Sequence, residues 1–169
     1  QLEGDPPRIV AEMNLSVPDG TKVRIGDLSP DSHLAILEGG GRLWIQDLDT
    51  FDSRELHSHA RESAWASLDP TGEFVISIEA VLGEIQVGPV TGEEPHLLLG
   101  HERSVNALAV DPNGRWIASG GKDKTIRLWP MPDLSKPPLH TLPREELIAK
   151  LKTLTNLRVV RDEDSPSGW

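Results

Sequence analysis

The chain contains no cysteine. Disulfide scaffolds, thiol catalysis, iron–sulfur clusters and cysteine-type zinc sites are therefore excluded. It has no tyrosine and only two phenylalanines, so its aromatic character rests on five tryptophans. Positive charge is scarce: 17 Lys and Arg stand against 27 Asp and Glu, a formal charge of -10. Such a surface repels phosphate backbones and anionic lipid, so neither nucleic acid nor a membrane is an expected partner. No apolar run reaches the roughly 20 residues needed to cross a bilayer. The start, Gln1-Leu2-Glu3-Gly4-Asp5, does not read as a signal or transit peptide, and a cytoplasmic location is expected.

What is abundant is the vocabulary of turns: 15 Gly and 14 Pro in 169 residues. Hydrophobic residues make up 37%, which suits a folded chain of short strands rather than a disordered one. One turn signature recurs. It is Ser29-Pro30-Asp31-Ser32, then Asp69-Pro70-Thr71-Gly72, then Asp111-Pro112-Asn113-Gly114, at offsets of 40 and 42 residues. Pro presets φ at the second turn position, and Gly or Asn accepts a positive φ. An alternating apolar run precedes each signature and another follows it: Leu34–Leu37, Phe74–Ser77 and Trp116–Ser119. A glycine-bearing turn comes next, then a third run: Arg42–Ile45, Glu84–Val87 and Thr125–Trp129. A fourth run is expected at Arg54–Leu56, Pro95–Leu99 and Pro138–Leu142. Four strands per roughly 41 residues is the arithmetic of a β-propeller blade. An antiparallel sandwich is the alternative, but it requires no constant spacing.

The segments Gly100-His101, Ser119-Gly120-Gly121-Lys122-Asp123 and Ile126-Arg127-Leu128-Trp129 together resemble a WD40 repeat, with Pro130 in place of the usual final Asp. The resemblance implies an all-β fold: a partial WD40 propeller of about three four-stranded blades, followed by a C-terminal α-helical tail. It also implies a structural hydrogen-bonded tetrad of His101, Ser119, Asp123 and Trp129. In the middle blade His59 and Ser77 hold the first two tetrad positions, while Val81 and Gly88 replace the Asp and Trp. The first blade keeps no clear tetrad, and Asp47 marks the end of its third strand. The expected segments are a preceding outer strand and linker (1–19), two degenerate blades (20–58 and 59–100), one well-formed blade (101–142) and the tail (143–169). In the tail, Pro143 with Glu145-Glu146 signals a helix start. Leu147, Ile148, Leu151 and Leu154 form a helical stripe, expected to pack on its own domain. Leu157–Val160 reads as a short strand. The run from Leu142 to Trp169 resembles the C-terminal extension of large bacterial WD40 proteins. Three blades do not close a ring. The chain therefore reads as the C-terminal part of a longer protein, with ring completion between copies as the alternative.

Sites for chemistry are few. Gly121-Lys122 fails as a phosphate loop, because Asp123 follows where Ser or Thr is required. His57-Ser58-His59 could pair two imidazoles, but no third ligand stands near, so no metal is expected. Ser119, His101 and Asp123 have the composition of a hydrolase triad, without a Gly-x-Ser-x-Gly elbow. A hydrolytic reading requires an accessible Ser119. Arg103, Lys122 and Lys124 form a basic spot on one rim and are the expected partner-binding residues, suited to an acidic or phosphorylated segment. The Asn14-Leu15-Ser16 sequon is set aside. No catalytic residue and no cofactor are expected. The expected function is a non-catalytic protein-interaction scaffold whose partners are proteins or other domains of the same polypeptide. The alternative is the regulatory C-terminal region of a signalling enzyme such as a bacterial Ser/Thr kinase.

Overall fold

The structure, a computed structural model, describes residues 15, 17–57, 59, 63–79 and 83–154. The outer strand expected over 7–15, except for Leu15, the strand expected over 157–160, the tail beyond it and Val81 lie outside the described residues. The chain divides between Pro132 and Asp133 into two compact units.

Among the described residues the first unit is three antiparallel meanders. Blade 1 is β1 (Arg24–Leu28), β2 (Leu34–Gly39), β3 (Arg42–Asp47) and β4 (Ser53–Glu55), hydrogen-bonded in that order. Blade 2 is β5 (Ser63–Leu68), β6 (Phe74–Glu79), β7 (Ile85–Pro89) and β8 (His96–Leu98). Blade 3 has three strands: β9 (Val105–Val110), β10 (Trp116–Gly121) and β11 (Ile126–Pro130). Each recurrent Pro-containing signature forms the turn between the first two strands of its blade. Asp69 organises the one in blade 2 by accepting from the backbone N–H of Thr71, Glu73 and Phe74 at 2.9–3.0 Å. The positive-φ position of this turn is Gly72 in blade 2 and Gly114 in blade 3, but Ser32 in blade 1.

Alternation along the strands supplies two apolar faces to blade 1. Ile36, Leu43, Ile45 and Leu56 meet Ala66, Leu68 and Val75 of blade 2. Ala35, Leu37 and Trp44 face the other way and pack with Val17. The register aligns Leu43 and Ile45 with Ile85 and Val87 in blade 2, and with Ile126 and Leu128 in blade 3. The first four are buried, whereas Ile126 and Leu128 are 84% and 67% exposed.

Two carboxylates sew blade 1 to the innermost strand of blade 2. Glu38 Oε1 accepts from Ala66 N–H at 2.8 Å. Asp27 Oδ2 accepts from Leu68 N–H at 2.9 Å and from the Ser67 hydroxyl at 2.7 Å. Glu38 is buried and is balanced by the Arg24 guanidinium, 2.7 Å from its Oε2.

The second unit differs from expectation at Pro138–Leu142. There the chain forms a short 3-10 helix over Leu139–Thr141, not a fourth strand. The cause is local. Pro137 and Pro138 remove two successive N–H donors where pairing would begin. Just before them, Ser135 and Lys136 both turn back onto the Asp133 carboxylate. The expected tail helix is present as α1 (Arg144–Leu154), preceded by Pro143 and with Glu145 and Glu146 in its first turn. Carboxylates there oppose the positive end of the helix dipole.

Candidate functional site

The best-defined polar constellation lies in blade 3. His101 comes from the loop before β9, Ser119 from β10, Asp123 from the β10–β11 turn and Trp129 from β11. The structure brings all four together. His101 Nδ1 lies 2.8 Å from Asp123 Oδ2, and His101 Nε2 lies 2.8 Å from Ser119 Oγ. Trp129 Nε1–H donates to Ser119 Oγ at 2.8 Å. Proton inventory assigns the directions. The indole donates to the hydroxyl, the hydroxyl to Nε2, and Nδ1–H to the carboxylate.

Asp123 collects more donors than its histidine. Glu102 N–H, Thr125 N–H and the Thr125 hydroxyl all reach it, at 3.1, 3.0 and 2.7 Å. Burial works to raise its pKa, but these bonds and the one from His101 outweigh it and hold the carboxyl well below its usual range. Gly121 leaves the room this requires. A Cβ there would stand 2.6 Å from His101 Nδ1 and 2.7 Å from Asp123 Oδ1.

Ser119 is 2% exposed. Its hydroxyl is enclosed between imidazole and indole, so no substrate carbonyl reaches it. The hydrolase reading of Ser119, His101 and Asp123 ends on that observation.

Blade 2 carries a reduced version. His59 Nδ1 lies 2.9 Å from Ser77 Oγ, and both residues are buried. Gly88 occupies the position equivalent to Trp129, and a Cβ there would stand 2.9 Å from His59 Nε2. That nitrogen is buried without a hydrogen-bond partner among the described residues. Burial pushes the His59 pKa down to about 4. In blade 1 the register puts Gln46 at the tryptophan position. Trp44 sits two residues earlier, on the same strand face, with the Arg42 guanidinium 4.8 Å from its ring centroid.

The basic rim residues lie at one end of the blades. Lys122 N–H donates to Ser104 O at 2.8 Å, which joins the loop of Arg103 to the turn of Lys122 and Lys124. All three side chains are exposed, and Lys124 holds a left-handed backbone, φ 67°. His57 lies apart from His59's network, 3.4 Å from Glu55.

Sequence reasoning missed Thr125, Asp27 and Glu38. Thr125 was signalled by its place two residues after Asp123, the spacing of an Asx turn. Asp27 and Glu38 were signalled only as charges within alternating apolar strands. Nothing in the sequence told which neighbour they meet.

Residues 92–130 match the family model described as WD domain, G-beta repeat. Among curated proteins, the chain is 28% identical over 118 residues to THO complex subunit 3 of Arabidopsis thaliana, covering 69% of this chain and 34% of that protein. It is 39% identical over 69 residues to a ribosome biogenesis protein WDR12 homolog of Drosophila persimilis, 38% of this chain and 16% of that protein. Ribosome biogenesis protein erb1 of Botryotinia fuckeliana is 52% identical over 33 residues, 20% of this chain and 4% of that protein. The chain thus spans about a third or less of the curated relatives it matches.

Proposed function

We propose that this chain, whose repeats are WD40 blades, is a non-catalytic protein-interaction scaffold. Its strands act as a rigid frame, and the side chains on its turns select the partner. One observation carries this reading. The polar groups of the blade 3 network are spent on one another in a buried circuit, while Arg103, Lys122 and Lys124 stand exposed around its mouth. The tetrad is structural, and the rim is the contact. Relatives named as a complex subunit and as ribosome biogenesis proteins support an assembly role. A cytoplasmic location, a bacterial source and partners within the same polypeptide belong to the same proposal. They rest on the charge balance and the resemblance of the tail.

The rim suits an acidic or phosphorylated segment, since three exposed cations on two joined loops carry no ion pair among the described residues. The test is fluorescence anisotropy with a labelled peptide of four glutamates around a phosphoserine. Reversing charge at Arg103, Lys122 and Lys124 to Glu should weaken binding at least tenfold without changing the melting temperature. Equal binding by the reversed variant would remove the rim from the proposal. The tetrad is tested separately. Asp123→Ala should lower the melting temperature by several degrees, because it takes the carboxylate from the buried His101 Nδ1–H and unties the turn. Unchanged melting with lost binding would overturn the structural role.

A further inference from the structure

The end of the blades opposite to the basic rim carries a second surface. On the side of blade 1 that packs against blade 2 lies a pocket of about 330 Å³, lined by Leu34, Ile45, Asp47, Asp52, Ser53 and Arg54. Its floor is apolar and continuous with the interior, since Ile45 and Leu34 belong to or pack against the cluster joining the two blades. Its walls are firm. The Arg54 guanidinium donates to the backbone carbonyls of Val90 and Thr91 in blade 2. Asp47 Oδ1 accepts from Asp49 and Thr50 N–H at 2.9 and 2.8 Å, which fixes the β3–β4 turn.

Phe51 stands on that turn, next in sequence to the pocket wall. It is 56% exposed and has φ 64°, a left-handed backbone that a bulky side chain rarely adopts. The β7–β8 turn of blade 2 is one residue tighter and places its left-handed residue at Gly92, φ 93°, one position earlier in the register. The N–H of each residue donates back to the end of the preceding strand, Phe51 to Asp47 and Gly92 to Pro89. A large aromatic thus occupies a glycine's conformation and leaves most of its ring in water. Neither feature serves the core.

Charge selects the occupant. Asp47, Asp49 and Asp52 surround Phe51 within six residues, and the whole chain carries -10. Asp49 shares its charge with exposed His33, 2.5 Å away, and Arg54 is turned onto backbone carbonyls. We propose that this pocket, with Phe51 beside it, docks a short extended segment of a partner protein in which an apolar side chain is flanked by Lys or Arg. The apolar group fills the Leu34–Ile45 floor and the ring of Phe51 covers it. The flanking cations meet the three carboxylates, and a cation over the ring gains further.

The experiment uses the full chain at 0.15 M salt and three fluorescein-labelled heptapeptides. The first has a central leucine between paired lysines and arginines, the second replaces the leucine by alanine, and the third replaces the basic residues by glutamates. The first should bind at least tenfold more tightly than either other. Phe51→Gly should weaken it at least tenfold while the melting temperature stays level or rises, because glycine suits φ 64°. Should Phe51→Gly fail to fold, Phe51→Asn keeps a residue tolerant of that conformation. Equal binding of the leucine and alanine peptides would reduce the effect to long-range charge and overturn the proposal. So would undiminished binding by the folded variant, or no binding at millimolar peptide. The basic rim at the other end is untouched by these variants, so the two readings fail independently.

Discussion

His59 shows how one unfinished network creates a pH dependence. Its imidazole is buried, bonded to Ser77 on one side and to nothing described on the other. Its pKa falls from 6.5 to about 4 on folding. The unfolded chain therefore takes up a proton below pH 6.5 that the folded chain refuses until about pH 4. Stability is complete above that window and is lost as pH falls through it, by up to about 3 kcal/mol. Urea unfolding at pH 7.0 and 4.5 should show this loss in the native chain and little of it in His59→Asn. The carboxyls held low, such as Asp19 and Asp133 at about 2, titrate below this window. An equal loss in the variant would acquit His59. Ser32 makes a second prediction at this scale. It holds φ 61° where the sister turns use Gly72 and Gly114. Ser32→Gly should relieve about 1 kcal/mol of backbone strain, read as a rise of a few degrees in melting temperature.

At the scale of elements, side chains stand in for a strand at the seam between blades 1 and 2. Between blades 1 and 2, Asp27 and Glu38 receive N–H groups of β5 as if they were an adjacent strand. The equivalent positions of blade 2 are Ser67 and Ile78, which carry no carboxylate. Asp27→Ala should cost about 1–3 kcal/mol, since it strands the Leu68 N–H and the Ser67 hydroxyl. A urea midpoint within error of the native one would show that water replaces the carboxylate without loss. This division was half legible in the sequence. The strands and turns were readable because each lies inside one repeat and obeys local rules of alternation, Pro and Gly. The tetrad geometry was readable for the same reason, since His101, Ser119, Asp123 and Trp129 share a blade. The seam bonds were not, because their partners lie 28 to 41 residues away and follow no spacing rule. The fourth strand of blade 3 was misread because Pro138 was taken as a strand start, while Pro137 beside it removes a second donor.

For the first unit as a whole, equivalent positions do not carry equivalent weight. Leu43 is fully buried between blades, and Ile126, its counterpart two repeats later, is 84% exposed. Leu43→Ala should cost about 2–5 kcal/mol and Ile126→Ala under 1. Chemical denaturation of the two variants side by side tests this, and equal costs would mean that the blade 3 face is covered in solution.

The seam carboxylates also give this repetitive stack a direction. The amides of Ala66 and Leu68 are timed by acceptors in another repeat, so their exchange with deuterated water reports the integrity of blade 1, not only of their own sheet. In a nearest-neighbour picture these bonds are a coupling term between blades 1 and 2. Opening of the first blade is thereby felt in the second.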